Sequence, residues 1–403
     1  MNRQTEIAKP VVDDAANRVK IAREKVLDGT IGAISVDTCI FTEAGYRLEN
    51  GNLKRLEQFK ANTFRLVFSE VTLGEIFGHI TKHSDEAKTK LTSALRSIGK
   101  YWHDHAGKQN AIVDELLCKE SGKAVASKRM QDFVTRCGAH LIEAKSTLDV
   151  SDLLKHYFNV QPPFEVIVEK KSEFPDAITL LSLQAWAKKE RTAVLFVTKD
   201  KGCKRFCEGS SYLFAIDDLS DALTVIQDKN VHRAELCRKI EEKIINGNYP
   251  DLVDRIESAI AEDIWSIDWI PEANAAYYYE PEFQDVEVVS ATFSGYNGNP
   301  ELSAIDYRDN YFVAQISINL EVSASCSFSF SAKDSIDRDM VSIGDATVTR
   351  KRFIEVDILL TFEDPDTDIP EVVEIELIPS RCDIDFGNIE PDYGDEDPNS
   401  EYY

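Results

Sequence analysis

The chain has 403 residues, too many for one ordinary hydrophobic core, and its 43% hydrophobic and 29% charged content sits close to the globular average. No run approaches the ~18 apolar residues of a membrane span, and the opening MNRQTEIAKPVVDDAANRVK mixes acids with bases around no apolar centre, which excludes a signal or transit peptide as the expectation. The net charge of −25 would ordinarily speak against a nucleic-acid partner, yet residues 251–403 hold 36 Asp+Glu and 8 Lys+Arg, leaving 35 acids and 38 bases in residues 1–250. A slightly basic half followed by a polyanion is itself a domain signal.

In chain order, residues 2–27 have helical spacing (Ile7, Val11, Ala15, Val19, Ala22, Val26) and stop at Gly29. The apolar run Ile31–Val36 reads as a buried strand ending at Asp37, followed by a helix through Leu53, Leu56 and Phe59 and a second strand over 64–68. Ser69 is placed to cap a helix over 71–80. Residues 85–145 are rich in Ala, Leu, Lys and Glu, show no clear strand, and read as a helical insertion. Residues 164–169 fit a short strand or a loop. Pro175 opens a buried helix, Ala193–Val197 is a strand leading to Thr198, Lys199 and Asp200, and 212–216 repeats the pattern before Asp217 and Asp218. Strands alternating with helices imply a parallel sheet in a three-layer α/β/α arrangement.

After a helical stretch over about 220–263 the pattern changes to β alternation across 285–378, as in Phe312, Ala314, Ile316, Ile318, Leu320 and Val322. This half is expected to be an antiparallel, sandwich-like β domain. The expected division is an N-terminal helix (1–30), an α/β domain (31–225) with its insertion (85–145), a helical connector (226–280), an acidic β domain (281–385) and a disordered acidic tail (386–403). The eight cysteines form no CxxC pair and no zinc spacing, so they read as free thiols of a cytoplasmic protein.

The chemistry lies where acids meet the strand ends. In a doubly wound sheet, ligands bind beyond the carboxyl ends of the strands. Asp37 and Asp200 follow apolar strands, Glu75 lies one turn into the helix after the second strand, and Asp176 starts the helix that leads to the next one. Singly, each also fits a turn or a helix-end residue. Together they can converge on one crevice, where four carboxylates repel one another unless cations are present.

The segments ISVDTCIFTE, FRLVFSEVTLGEIFGHI, FPDAITLLSL and VLFVTKDKGCKRF resemble, in order, the four signature blocks of PIN-domain nucleases, and most closely the larger bacterial type with a helical insertion. The resemblance covers residues 31 to about 225. It implies Asp37, Glu75, Asp176 and Asp200 as ligands of Mg²⁺ or Mn²⁺, with Thr198 positioning metal or water and Glu70 a weaker claimant for the place of Glu75. The reaction implied is phosphodiester hydrolysis, usually of RNA, by an endonuclease. Alternatives are a single-strand or structure-specific DNA nuclease and a non-catalytic PIN-fold binding module. A toxin or phage-defence role and a homodimer rest on family analogy alone, while the acidic half fits an internal competitor for the basic rim, a recognition module for a protein partner or a solvated scaffold.

Phosphate contacts are expected from Lys170, Lys171, Lys199, Lys201, Lys204 and Arg205. His79 and His83, four apart, read as helix-surface residues because no HExxH context accompanies them.

Overall fold

The computed structural model describes residues 15–101, 109–164, 173–228, 231–308, 310–333 and 339–392. In the main, residues up to 230 form one compact unit and residues from Val231 onward a second.

The first unit runs α1 (Ala15–Leu27), β1 (Ile31–Val36), α2 (Thr38–Glu43), α3 (Gly51–Lys54), a 3₁₀ segment (Arg55–Ala61), β2 (Arg65–Ser69), α4 (Glu70–Tyr101), α5 (Gln109–Leu116), α6 (Gly122–Cys137), β3 (His140–Ile142), α7 (Ala144–Thr147), α8 (Val150–Phe158), α9 (Phe174–Glu190), β4 (Ala193–Val197), α10 (Lys201–Glu208), β5 (Leu213–Ile216) and α11 (Leu219–Gln227). Five strands form one parallel sheet in the order β3-β2-β1-β4-β5. All five side chains of β4 are buried, the near-continuous apolar run expected where helices cover both faces. The order reverses between β1 and β4, the switch point at which an open α/β sheet leaves a crevice.

The expected parallel α/β/α sheet is present, with differences at its margins. The insertion is helical but contains a strand: β3, only three residues with two of them exposed, pairs with β2 at the sheet edge. Helix α6 is anchored in the core rather than standing apart. Phe133 is fully buried and meets Phe41 and Phe68 at ring-centroid distances of 5.8 and 6.2 Å. Arg129 binds Glu49 with two hydrogen bonds of 2.9 and 2.6 Å, and Arg136 binds Glu57 at 2.7 Å. Ser69 Oγ accepts from the Val71 amide at 3.2 Å, as its cap position suggested. Of the first helix, residues 2–14 lie outside the described residues, and α1 packs on α11, β5 and β1 as part of this unit. Residues 165–172, which hold most of the 164–169 segment with Lys170 and Lys171, also lie outside them.

The second unit contains α12 (Val231–Ile245), α13 (Leu252–Asp263), β6 (Asp268–Asn274), β7 (Tyr278–Phe293), β8 (Ser303–Arg308), β9 (Tyr311–Lys333), β10 (Met340–Glu363), β11 (Glu371–Leu377) and β12 (Arg381–Asn388). An antiparallel sheet ordered β11-β10-β9-β7 is joined by β8 on β9, and β6 pairs in parallel with β12. The even-numbered residues of β9 from Phe312 to Phe330 are all buried, so one face carries the core. That face is covered by α12 and α13 and by the β6–β12 ribbon, whose residues share its apolar cluster. The layer expected to be a second antiparallel sheet is therefore two helices and a two-stranded ribbon. The helices expected as a connector over 226–280 bury Leu236, Ile240, Leu252, Ile256 and Ile260 in this core instead. The acidic tail was placed from 386, but Phe386 and Ile389 are buried and β12 runs to Asn388; residues 393–403 lie outside the described residues.

Candidate functional site

Parallel strands bring their carboxyl ends, and the first turns of the helices that follow them, to one edge of the sheet. Asp37 leaves β1 with its backbone amide bonded to Val197 O at 3.0 Å, so the ends of β1 and β4 are stitched together at the switch point. Asp37 is 8% exposed and Thr198 is fully buried. Thr198 Oγ donates to Asp37 Oδ2 at 2.6 Å and accepts from the Asp200 amide at 3.1 Å, tying the first acid to the last through one hydroxyl. Asp200, exposed, caps α10 by accepting from the Cys203 amide at 2.7 Å. Gly202 keeps this turn tight: a Cβ there would stand 3.0 Å from Pro163 O and 3.1 Å from Asp200 Oδ1.

Glu75 is drawn in from α4 by Thr38, whose hydroxyl donates to Glu75 Oε2 at 2.8 Å while its amide donates to Asp37 Oδ1 at 2.7 Å. Asp176 lies in the first turn of α9 behind Pro175. One turn from each of these two acids, the hydroxyls of Thr72 and Thr179 lie 3.5 Å apart between α4 and α9, which holds the two helices in register. Glu70 turns elsewhere: its Oε1 accepts from the Ala144 amide at 2.8 Å and caps α7, leaving Glu75 as the acid of α4 beside Asp37.

The electrostatics record the convergence. Burial pushes the Asp176 carboxyl up from 3.8 to about 7, with Asp37, Asp200, Glu75 and Glu173 adding like-charge repulsion. Burial also raises Asp37, and its hydrogen bonds from Thr198, Cys39 and the Thr38 amide offset part of that rise. Burial and Asp37 push the Cys39 thiol up to about 12, so the thiol is protonated and donates to Asp37 Oδ2 at 3.2 Å.

The four acids expected at the site are thus brought to one edge, with Thr198 between two of them. Sequence reasoning missed Thr38, Cys39, Thr72, Thr179 and Glu173. Thr38 and Cys39 could have been suspected from their place directly after Asp37, and Glu173 from its place before Pro175. Of the expected phosphate-binding residues, Lys199, Lys201 and Arg205 are exposed, Lys199 pairing with Asp218 at 2.9 Å. Lys204 is a correction: it is 6% exposed, and its Nζ lies 3.2 Å from Asp217, a carboxylate also held twice by Arg18 at 2.8 and 2.7 Å. Its charge is used inside the fold, next to β5 and α1.

The donor set of four carboxylates and two threonine hydroxyls suits a hard cation, and it includes no imidazole. Among the described residues, no three His, Cys, Asp or Glu side chains stand close enough to grip an ion as they are placed. Also among the described residues, no helix is long and apolar enough to cross a membrane.

Comparison with known proteins adds one match and two blanks. No curated protein and no solved structure matches the chain. Residues 34–202, which span Asp37, Glu75, Asp176, Thr198 and Asp200, match the family described as the PIN domain, and with the parallel five-stranded sheet this places the N-terminal unit of the chain in the PIN-domain family.

Proposed function

We propose that the N-terminal unit is a divalent-metal-dependent nuclease that hydrolyses phosphodiester bonds, RNA in preference to DNA, with Asp37, Glu75, Asp176 and Asp200 as the ligands of Mg²⁺ or Mn²⁺. PIN domains are in general nucleases, which supplies the reaction class. The observation that carries the residue assignment is the gathering of four acids at the switch-point edge, where Thr38 bonds the carboxylates of both Asp37 and Glu75 and Thr198 ties the Asp37 carboxylate to the Asp200 backbone.

When bound, such a cation supplies Lewis acidity: it orients and acidifies a water and polarises the scissile phosphate. The protein's part is to hold four acids together against their repulsion. Thr198 fixes one oxygen of Asp37 and the backbone of Asp200, and Thr38 fixes Glu75. The Asp176 carboxyl, raised by burial to about 7, is one of the four that would hold the cation, and positive charge beside it would favour its ionised form. Lys199, Lys201 and Arg205 are exposed beside or close after Asp200 in the chain and put positive charge near the path of a phosphate backbone.

The test is cleavage of labelled single-stranded RNA and DNA with Mn²⁺, Mg²⁺ or EDTA, beside Asp176→Asn. Metal-dependent cutting of RNA that the substitution abolishes is expected. Cutting of DNA alone would move the enzyme to the other substrate class, and cutting of neither would sink the catalytic reading. As a toxin or phage-defence effector, the same protein should arrest bacterial growth on expression in a manner lost with Asp176→Asn; an active enzyme without arrest would remove that role.

A further inference from the structure

Glu75 opens a row along α4. His79 and His83 follow at i+4 and i+8, about one and two turns further on, and share its face at about 6 Å per step. Both imidazoles are exposed. Their ring centroids are 6.4 Å apart with 22° between the planes. Each also rests against Tyr46, His79 stacked at 5.6 Å and 19°, His83 at 5.6 Å and 40°.

Tyr46 is a fixed base for them. It is 5% exposed, its hydroxyl lies 2.7 Å from Thr42 Oγ, its carbonyl accepts from Arg129 Nη2 at 2.7 Å, and its amide donates to Phe41 O at 2.9 Å. Glu75 lies one turn before His79 on the same helix face, which places the platform beside the carboxylate site.

Two histidines four apart on a helix would first suggest a metal pair. The two imidazole planes, however, lie within 22° of each other against a tyrosine, and among the described residues no third ligand completes a set. His83 pairs with Glu86 at 3.4 Å. An exposed tier of flat rings on a fixed tyrosine matches the chemistry of a single-stranded nucleic acid, whose bases stack on aromatic and imidazole faces whatever their identity. We propose that His79 and His83, seated on Tyr46, form a base-stacking platform for single-stranded nucleic acid leading to the carboxylate site. The proposal deepens the nuclease reading and rests on it for what the strand is delivered to, while the binding itself requires neither metal nor cleavage.

The full chain in EDTA, where nothing is cut, is titrated into fluorescein-labelled oligoribonucleotide and oligodeoxyribonucleotide of mixed sequence and followed by anisotropy. The wild type binds; His79→Ala with His83→Ala weakens binding about tenfold, the scale of one lost stack. The double Phe variant stays within about twofold of wild type because a phenyl ring keeps the π-face. Wild-type binding to neither strand overturns the proposal. So does an alanine variant with unchanged circular dichroism that binds as wild type, or a Phe variant that falls with the alanine one. Absence of Mn²⁺-dependent cutting by the wild type defeats the nuclease reading and leaves this binding result standing, so the two fail separately.

Discussion

The two units handle negative charge in opposite ways. In the first, Asp37 after β1, Glu75 of α4, Asp176 of α9 and Asp200 in the β4–α10 turn lie toward one sheet edge, and burial, with repulsion from the other acids, pushes Asp176 up to about 7. In the second, Glu280, Glu282, Asp285 and Glu287 stand exposed on one face of β7, opposite Ser329, Ser327, Ser325 and Ser323 of β9. Alternate residues of a strand are about 6.6 Å apart, and the high dielectric of the water around them keeps the repulsion at that spacing weak. The chain's acidity therefore lies mostly where it has little local consequence. Topology, not charge count, makes a candidate site, because parallel strands deliver their ends and the next helices' first turns to one place.

The largest expected effect breaks this comparison at its centre. Asp176→Asn should lower metal-dependent cleavage by about a thousandfold or more, on the scale of several kcal/mol of lost electrostatic stabilisation. Glu280→Gln with Glu282→Gln, which removes as much charge or more, should leave kcat unchanged. A comparable loss in both would deny the distinction between the two sheets.

The core of the second unit supplies a stability counterpart. Phe328 is fully buried and meets Tyr279 and Phe386 at centroid distances of 5.7 and 5.4 Å. Phe328→Ala should destabilise that unit by about 3–5 kcal/mol in denaturant unfolding, without changing the affinity of the first unit for Mn²⁺. A variant that melts as wild type would contradict the core described for this sheet.

The gathered acids also set a pH dependence. The Asp176 carboxyl is raised in the fold above its ordinary 3.8, so its contribution is fully present below about pH 4 and is lost as pH rises through about 7. Metal-free protein should lose thermal stability across that window, Asp176→Asn should flatten the slope and melt higher above pH 7, and Mn²⁺ should restore the wild type. A flat wild-type profile in EDTA would show that the acids do not repel as placed.

The smallest effect sharpens the site's inner wiring. Thr38→Val removes the 2.8 Å bond to Glu75 and should weaken Mn²⁺ affinity about tenfold, with Thr38→Ser close to wild type. Equal loss in Val and Ser would point to packing in place of hydrogen bonding.

Much of this architecture is legible in the residues themselves. The uninterrupted apolar runs of β1 and β4 announce a buried parallel sheet, the even-numbered apolar residues of β9 announce one buried face, and the acids at the strand ends stand out by position. β3 was not legible, because three residues with two exposed carry no pattern and become a strand only by pairing with β2. Lys204 was misread because helix spacing separates it from Arg205 but does not say which face meets Asp217.

Local pattern and spacing along the chain fix the periodicities and the order of the four acids. Only packing brings α12 and α13 onto the core of the second unit, lets Thr38 join the carboxylates of Asp37 and Glu75 and Thr198 tie Asp37 to the Asp200 backbone, and sets His79 and His83 against Tyr46. Those contacts link segments far apart in the chain or faces of helices whose partners no local rule names, so they exist only once the layers have packed.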